Sequence, residues 1–247
     1  MSDPVTKDPL RENYREAFIT NPRREEHLAD GKVGLLCIDV QYLDAAEGYG
    51  LFADPDRSGV PEEGRRYYFD RLKNTVIPGM QRLQQGFRVS GLEVIHCRIC
   101  ALTKDGRDRG AGHRRLELLA AKGSKEAEFI EEVGPVGDEI VIDKTASGVF
   151  SATNLHYVLG NLGIRSLYMC GVYTNECVET TARHACDLGY FVTVVDDACA
   201  TVTPQLHEAS LATMRDRYAR ICRVDDVMRD LDELSDTSIV GIITQHH

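Results

Sequence analysis

Cys177 lies in the run Tyr-Met-Cys-Gly-Val-Tyr-Thr-Asn-Glu-Cys-Val-Glu-Thr-Thr-Ala-Arg-His-Ala, residues 168–185. Apolar and aromatic residues lead to a glycine, a short polar turn follows, and a helical pattern begins at the cysteine itself. A thiol on the first turn of a helix meets unpaired backbone N–H groups and the positive end of the macrodipole, both of which ease loss of its proton. That chemistry suits a nucleophile. A buried cysteine acting as a small apolar side chain is the commoner role, so the choice turns on the neighbours. Asp39 directly follows the apolar run Val33-Gly-Leu-Leu-Cys-Ile, and Lys144 directly follows Glu139-Ile-Val-Ile-Asp. Asp and Lys often end strands simply because they reach solvent. Together with the thiol they have the composition of an activated-thiol site, with a base for the proton and a cation to hold thiolate and carboxylate in register.

The elements that must position these groups are legible as apolar patterns. Strand-like runs recur at residues 33–40, 92–98, 139–143, 166–171 and 190–195, and helical periodicity covers 68–87, 152–162, 177–188 and 205–218. Strands alternating with helices predict an α/β fold, a three-layer αβα sandwich around a mostly parallel, doubly wound sheet of about six strands with right-handed crossovers. In such sheets ligands collect beyond the carboxyl ends of the strands where strand order reverses. Asp39, Lys144 and the turn carrying Cys177 all arise at that edge. Residues 1–30 are strongly charged and read as an arm packed on the domain or on a neighbouring subunit. The domain itself spans 31–234, and 235–247 reads as a tail. The segments 45–66 and 101–115 are long connections of the kind that usually carry function.

Composition narrows the class. A chain of 247 residues fits one large α/β domain. Acidic residues outnumber basic ones, 39 to 29, for a net charge of −10, which is not the footprint of a nucleic-acid binder. No apolar run approaches the ~20 residues of a membrane span, and the opening residues have no signal-peptide core, so a cytoplasmic protein is expected. Eight cysteines in that setting predict reduced thiols. Cys97 and Cys100 form a Cys-Arg-Ile-Cys pair, but no second pair stands at zinc spacing and strand alternation predicts opposite faces.

Four blocks carry a resemblance: Leu-Leu-Cys-Ile-Asp39-Val-Gln41; Ile-Asp-Lys144-Thr-Ala-Ser-Gly-Val-Phe150-Ser-Ala-Thr; the run from Cys170 through Tyr173, Asn175 and Cys177 to Tyr190; and Val-Asp-Asp197-Ala-Cys-Ala200 followed by His207. From Val33 to about Val227 the chain resembles the isochorismatase-like cysteine hydrolase superfamily, which includes N-carbamoylsarcosine amidase, ureidoacrylate amidohydrolase, biuret hydrolase and nicotinamidase. The resemblance implies an amidohydrolase in which Cys177 attacks the carbonyl carbon of a small linear amide or ureido compound and passes through a thioester. Asp39 would move the protons and Lys144 would stabilise the charged pair. A cis peptide at Val172–Tyr173 would help the N–H groups of Tyr173 and Cys177 form the oxyanion hole. Gln41, Tyr42, Phe150, Tyr173 and Asn175 would face the substrate. No cofactor is implied, and a homo-oligomer, dimer or tetramer, is expected.

Departures from the family pattern matter too. Nicotinamidases of the superfamily carry an Asp-x-His…His metal site after the second strand, whereas this chain reads His96-Cys-Arg-Ile-Cys there, so no metal is expected. A ring-amide deamidase and a catalytically silent binding protein stand as the alternatives. The presence of Cys177 separates the chain from the vinyl-ether isochorismatases. Where the first motif commonly continues to Phe, this chain has Asp44, so Tyr42 or Phe52 would have to supply the missing aromatic wall. Arg98, ending the second strand, has the planar fork to hold a substrate carboxylate or ureido oxygen, with a surface salt bridge as its other role. Arg107, Arg109, His113 and Arg114 read as a solvated or subunit-facing basic cluster, and His207 as a satisfied structural histidine.

Overall fold

The computed structural model describes residues 22–56 and 58–233, so most of the N-terminal arm and the whole 235–247 tail lie outside it. Helix α1 (Pro22–Ala29) is the end of the arm and lies on the domain: Leu28 is buried, His27 Nδ1 is 2.9 Å from Ser166 Oγ, and the His27 ring meets Phe191 edge-on. Strand β1 (Val33–Ile38) follows and is buried along its whole length. A one-turn helix α2 (Tyr42–Ala45) leads to a continuous helical stretch made of α3 (Glu62–Arg71), a wide π turn (Leu72–Val76) and α4 (Ile77–Val89). The π turn has a local cause. Pro78 has no N–H to give and its ring would crowd the carbonyl four residues back; the turn before it widens so that Ile77 N donates to Leu72 O.

Strand β2 (Glu93–Ile99), the short helix α5 (Ala111–Arg115) and β3 (Ile140–Lys144) come next. They are followed by α6 (Val149–Ala152), α7 (Leu155–Asn161), β4 (Ser166–Val172) and α8 (Glu179–Asp187). The chain then runs through β5 (Phe191–Ala200), α9 (Pro204–Met214), β6 (Arg220–Cys222) and a helix α10 over 224–233. The six strands form one parallel sheet in the order β3-β2-β1-β4-β5-β6. The sixth has only three residues and begins on an arginine, too short and too polar to show as an apolar run.

Alternate strand residues enter two apolar layers. Leu36 and Ile38 of β1 with Leu167 and Met169 of β4 pack beneath α7, α8 and α9. Val33, Leu35, Cys37, Tyr168 and Cys170 face the opposite layer, filled from α3, α4 and α10 by Tyr68, Met80, Leu83, Phe87 and Leu231. This is the expected three-layer sandwich. The chain leaves β1 for β2 on one side and reaches β4 on the other, so strand order reverses between β1 and β4. Both strands are buried by helices on each face, and in sheets of this kind ligands bind past the carboxyl ends of the strands at such a reversal.

Gly171 sets how closely those ends approach. It pairs with Ile38 across the two strands, sits at φ +123°, and a Cβ there would stand 2.0 Å from the Ile38 carbonyl oxygen. The pairing of β4 with β5 shifts register at this point, a bulge of the kind that re-aims a chain beside a site. Gly171→Ala is therefore expected to destabilise the fold by about 3 kcal/mol or more, from backbone strain and overpacking together. Urea unfolding measures it, and a cost below about 1 kcal/mol would contradict the close approach.

Candidate active site

Asp39 is the first residue after β1. Its N–H donates to Cys97 O at 3.0 Å, its own carbonyl accepts from Gln41 N at 2.8 Å, and its φ of +54° turns the chain away from the sheet. Asp is among the non-glycine residues that tolerate this region best. Lys144 ends β3, two strands over, and reaches across the edge of β2. Its Nζ stands 2.7 Å from Asp39 Oδ2 and 3.4 Å from Cys177 Sγ, and it donates to Ala146 O at 3.0 Å. The side chains of Asp39 and Lys144 are 1% and 0% exposed, and Cys177 is 3% exposed. Three groups from three separate strand ends thus share one dry enclosure.

The turn that delivers Cys177 differs from the sequence expectation. The helical segment starts three residues earlier, at Thr174, as a π turn (Thr174–Val178) that runs into α8. The Val172–Tyr173 peptide before it is cis. Thr174 is held from behind by α9: its Oγ1 is 2.9 Å from His207 Nδ1, and Ser210 Oγ donates to its carbonyl at 3.1 Å. His207 Nε2 is in turn 2.8 Å from Asp196 Oδ1 and 2.9 Å from an Arg71 nitrogen.

The electrostatics also correct the sequence reading. An acidic thiol is expected at a helix start, but burial pushes the Cys177 thiol well up, and the pull of Lys144 is opposed by Asp39. The resting sulfur is a thiol. Asp39 is likewise raised by burial, against the lowering effect of Lys144. Burial alone would lower Lys144, yet Asp39 and then Cys177 hold it above its ordinary value, so it stays an ammonium. Moving the proton from Cys177 to Asp39 leaves the net charge of the enclosure unchanged, and Lys144 touches both the sulfur and the carboxylate. Proton transfer inside the site is thereby favoured over release to water.

The other residues singled out from sequence divide. Gln41 is fully buried and spent on the frame: Nε2 donates to Ile99 O and Glu126 O, and Oε1 accepts from Ile99 N at 2.6 Å. It positions the turn after Asp39. Arg98 pairs with Asp143 at 2.7 Å, donates to Ala127 O and lies over Phe129, so its fork is committed to the salt-bridge role. Phe150 is turned onto Tyr190 in a stacked pair. Tyr42 carries the Lys125 ammonium on its ring and meets Tyr49 edge-on, and Asn175 accepts from Thr201 Oγ1 at 2.5 Å. Tyr173 is buried, and its hydroxyl donates to Asp44 O at 3.1 Å. The aromatic surface around position 44 comes from Tyr173 and Tyr68, whose rings lie 5.3 Å apart; Phe52 stacks behind Tyr68.

Two residues were missed. His113, expected in a solvated cluster, is 8% exposed; burial, then Lys144, lowers its pKa, and it bonds the Thr145 backbone next to Lys144. Asp44 is buried, and burial, then the charge of Asp39, raises its pKa. His113 sits in a polar, Gly-rich stretch whose burial is decided by tertiary packing, and Asp44 stands between Leu43 and Ala45 at the motif position where Phe is usual. Cys97 and Cys100 are free and share one apolar layer, because β2 ends at Ile99 before alternation could separate them. His96, where a metal motif would begin, is buried and 3.0 Å from Glu139. No described helix is long and apolar enough to cross a membrane.

Residues 35–226 match the isochorismatase domain model. The chain belongs to the isochorismatase family. Ureidoacrylate amidohydrolase RutB of Rhizobium rhizogenes is 30% identical over 90% of this chain and 94% of that protein. RutB of Acinetobacter baylyi is 40% identical over 39% of this chain, and nicotinamidase 3 of Arabidopsis thaliana is 35% identical over 44% of it; those matches span 40% and 56% of the two relatives. Among solved structures, a cysteine hydrolase from Pseudomonas syringae pv. phaseolicola superposes with a TM-score of 0.66 at 22% identity, covering 95% of this chain and 100% of that one. N-carbamoylsarcosine amidase from Thermoplasma acidophilum superposes at 0.58 with 25% identity, over 78% and 97%.

The contact between Asp39 and Lys144 generates a prediction. Asp39→Asn and Lys144→Met each destabilise by about 3–5 kcal/mol, because each leaves a buried group without its partner. The double variant costs less than their sum by at least about 1 kcal/mol. Urea unfolding of the four proteins checks this, and strictly additive costs would contradict the pairing.

Proposed function

We propose that this protein is a cysteine-dependent amidohydrolase that cleaves a C–N bond of a small linear amide or N-carbamoyl (ureido) compound through a thioester and releases ammonia or an amine. The observation that carries the reading is the contact of one ammonium, Lys144, with both the Asp39 carboxylate and the Cys177 sulfur in a water-excluded enclosure. Family membership and the names of the relatives support it.

The chemistry follows from the charge balance. As Cys177 Sγ adds to the carbonyl carbon, its proton passes to Asp39, and Lys144 stays in contact with both partners. The carbonyl oxygen becomes an oxyanion, for which the N–H groups of Tyr173 and Cys177 are the proposed donors. Collapse expels the amine, which takes the proton back from Asp39, and a thioester remains. Asp39, again a carboxylate, then draws a proton from water as the oxygen attacks the thioester. Cys177 leaves as the sulfur and recovers its proton. A ring-amide substrate is the second reading, favoured by the nicotinamidase relative.

An ammonia-release assay over biuret, N-carbamoyl amino acids, ureidoacrylate, maleamate and nicotinamide tests the proposal; release from nicotinamide alone would overturn it. Cys177→Ser is expected to lower turnover about a thousandfold or more with the fold intact. Retention of wild-type turnover would refute the nucleophile assignment. The pH profile of kcat/KM follows from Asp39. The base must be a carboxylate and its pKa is raised, so activity is full above that pKa and falls as pH drops through it. The acid limb therefore lies above the ordinary aspartate value of about 3.9. A limb at or below that value would contradict the role.

A further inference from the structure

The proposed reaction uses no side chain of β5 or α9, yet both elements reach the turn that carries Cys177. That turn has no cap of its own. Tyr173, at its N-cap position, gives no side-chain bond to the helix start, and Thr174, the first residue of the π turn, is 0% exposed. A hydroxyl buried so completely must find its partner within the protein, and Thr174 Oγ1 has His207 Nδ1 at 2.9 Å. His207 is itself buried, and its other ring nitrogen, Nε2, stands 2.8 Å from Asp196 Oδ1. One line of hydrogen bonds thus runs from β5, through α9, to the start of the Cys177 turn.

The hydrogens give that line a direction. The bond from His207, with Arg71 beyond it, holds Asp196 below the usual carboxylate range despite burial, so Oδ1 has no hydrogen to give. Nε2 therefore carries the hydrogen between them. An Arg71 terminal nitrogen also lies 2.9 Å from Nε2, but it donates to Asp196 O at 2.9 Å and to Asp196 Oδ1 at 3.1 Å, and Arg71 Nε donates to Cys199 O. Arg71 fixes the carboxylate in place. In the neutral imidazole Nδ1 is left as the acceptor, and the Thr174 hydroxyl donates to it. The order is carboxylate, imidazole, hydroxyl. A threonine sealed from solvent is not placed to attack a substrate, so what this order can serve is the geometry of the turn. Three residues on from Thr174, Cys177 Sγ meets the Lys144 ammonium at 3.4 Å.

We propose that His207 is a positioning residue for the nucleophile: backed by Asp196, it fixes Thr174 and with it the placement of Cys177 Sγ against Lys144. This rests on the amidohydrolase reading above.

Thiol reactivity and turnover, measured side by side in Thr174→Val, His207→Leu and the double variant, test it. Each single variant should lose at least about tenfold in the rate of Cys177 alkylation by iodoacetamide at neutral pH, because a misplacement of about 1 Å can cost about a hundredfold. The double variant should fall no more than about twofold below the slower single, since all three remove the same bond. His207→Asn, whose side-chain oxygen can accept at the position of Nδ1, should react at least about threefold faster than His207→Leu. On a substrate that releases ammonia, kcat should drop at least about tenfold in His207→Leu with KM changed less than about threefold. If His207→Leu does not fold, His207→Gln, whose amide reaches Asp196 but not Thr174, is measured in its place. A wild-type alkylation rate in the single variants, losses that multiply in the double variant, no gain in His207→Asn, or a raised KM at unchanged kcat would each overturn the assignment. Absence of ammonia release by the wild-type protein would instead sink the amidohydrolase reading, and the alkylation rates would still decide the role of His207.

Discussion

Asp39 and Lys144 are both removed from water, and neither charge could stay there without the other. The idealised cost of transferring one such ion to a dry interior is of order 20 kcal/mol, and a close, well-oriented counter-ion is what offsets it. The rest of the site is arranged around keeping that contact. Lys144 must come from a strand two places from β1 and cross the edge of β2. The chain after β1 must turn at once, which it does through the left-handed backbone of Asp39 and the locking bonds of Gln41. Gly171 lets the end of β4 close against Ile38, so that the following turn lays Cys177 against the same ammonium. In the proposed mechanism this pair of charges, costly to bury, takes up one proton from the thiol without changing the net charge of the enclosure.

Such an arrangement explains why the sulfur is not a standing thiolate. A free thiolate in this enclosure would add a second negative charge beside Asp39, and burial already disfavours ionisation. The other described cysteines are free as well. The π turn and the His207–Thr174 bond hold the Cys177 turn from the rear, through α9.

The fold, and the strand ends that bring Asp39, Lys144 and Cys177 together, were legible in the sequence because they follow strong local signals. Apolar runs mark the strands, and Asp39, Lys144 and Cys177 each stand at or just beyond the end of one. What was not legible depends on contacts between distant segments. Gln41 and Arg98 have the chemistry of ligand-binding groups, yet Ile99, Glu126, Ala127 and Asp143 occupy them. His113 looks like a solvated loop residue until α5 buries it, and the burial of Asp44, read only as a departure from the motif, follows from its place on α2. The helix-start argument for an acidic Cys177 was sound locally and was outweighed by desolvation, a quantity that no spacing pattern reports. The widened turns at 72–76 and 174–178 arise from Pro78 and from the turn after β4, and periodicity alone reads both as ordinary helix.

In the proposed mechanism Asp39 takes the proton from Cys177 inside the enclosure. The most direct measurement is the second-order rate of Cys177 alkylation by iodoacetamide, followed by mass spectrometry from pH 5 to 9 in the wild-type and Asp39→Asn proteins. The wild-type rate at neutral pH should exceed the Asp39→Asn rate by about tenfold or more, with the variant recovering only as solvent hydroxide removes the thiol proton at high pH. Equal rates in the two proteins across that range would contradict it.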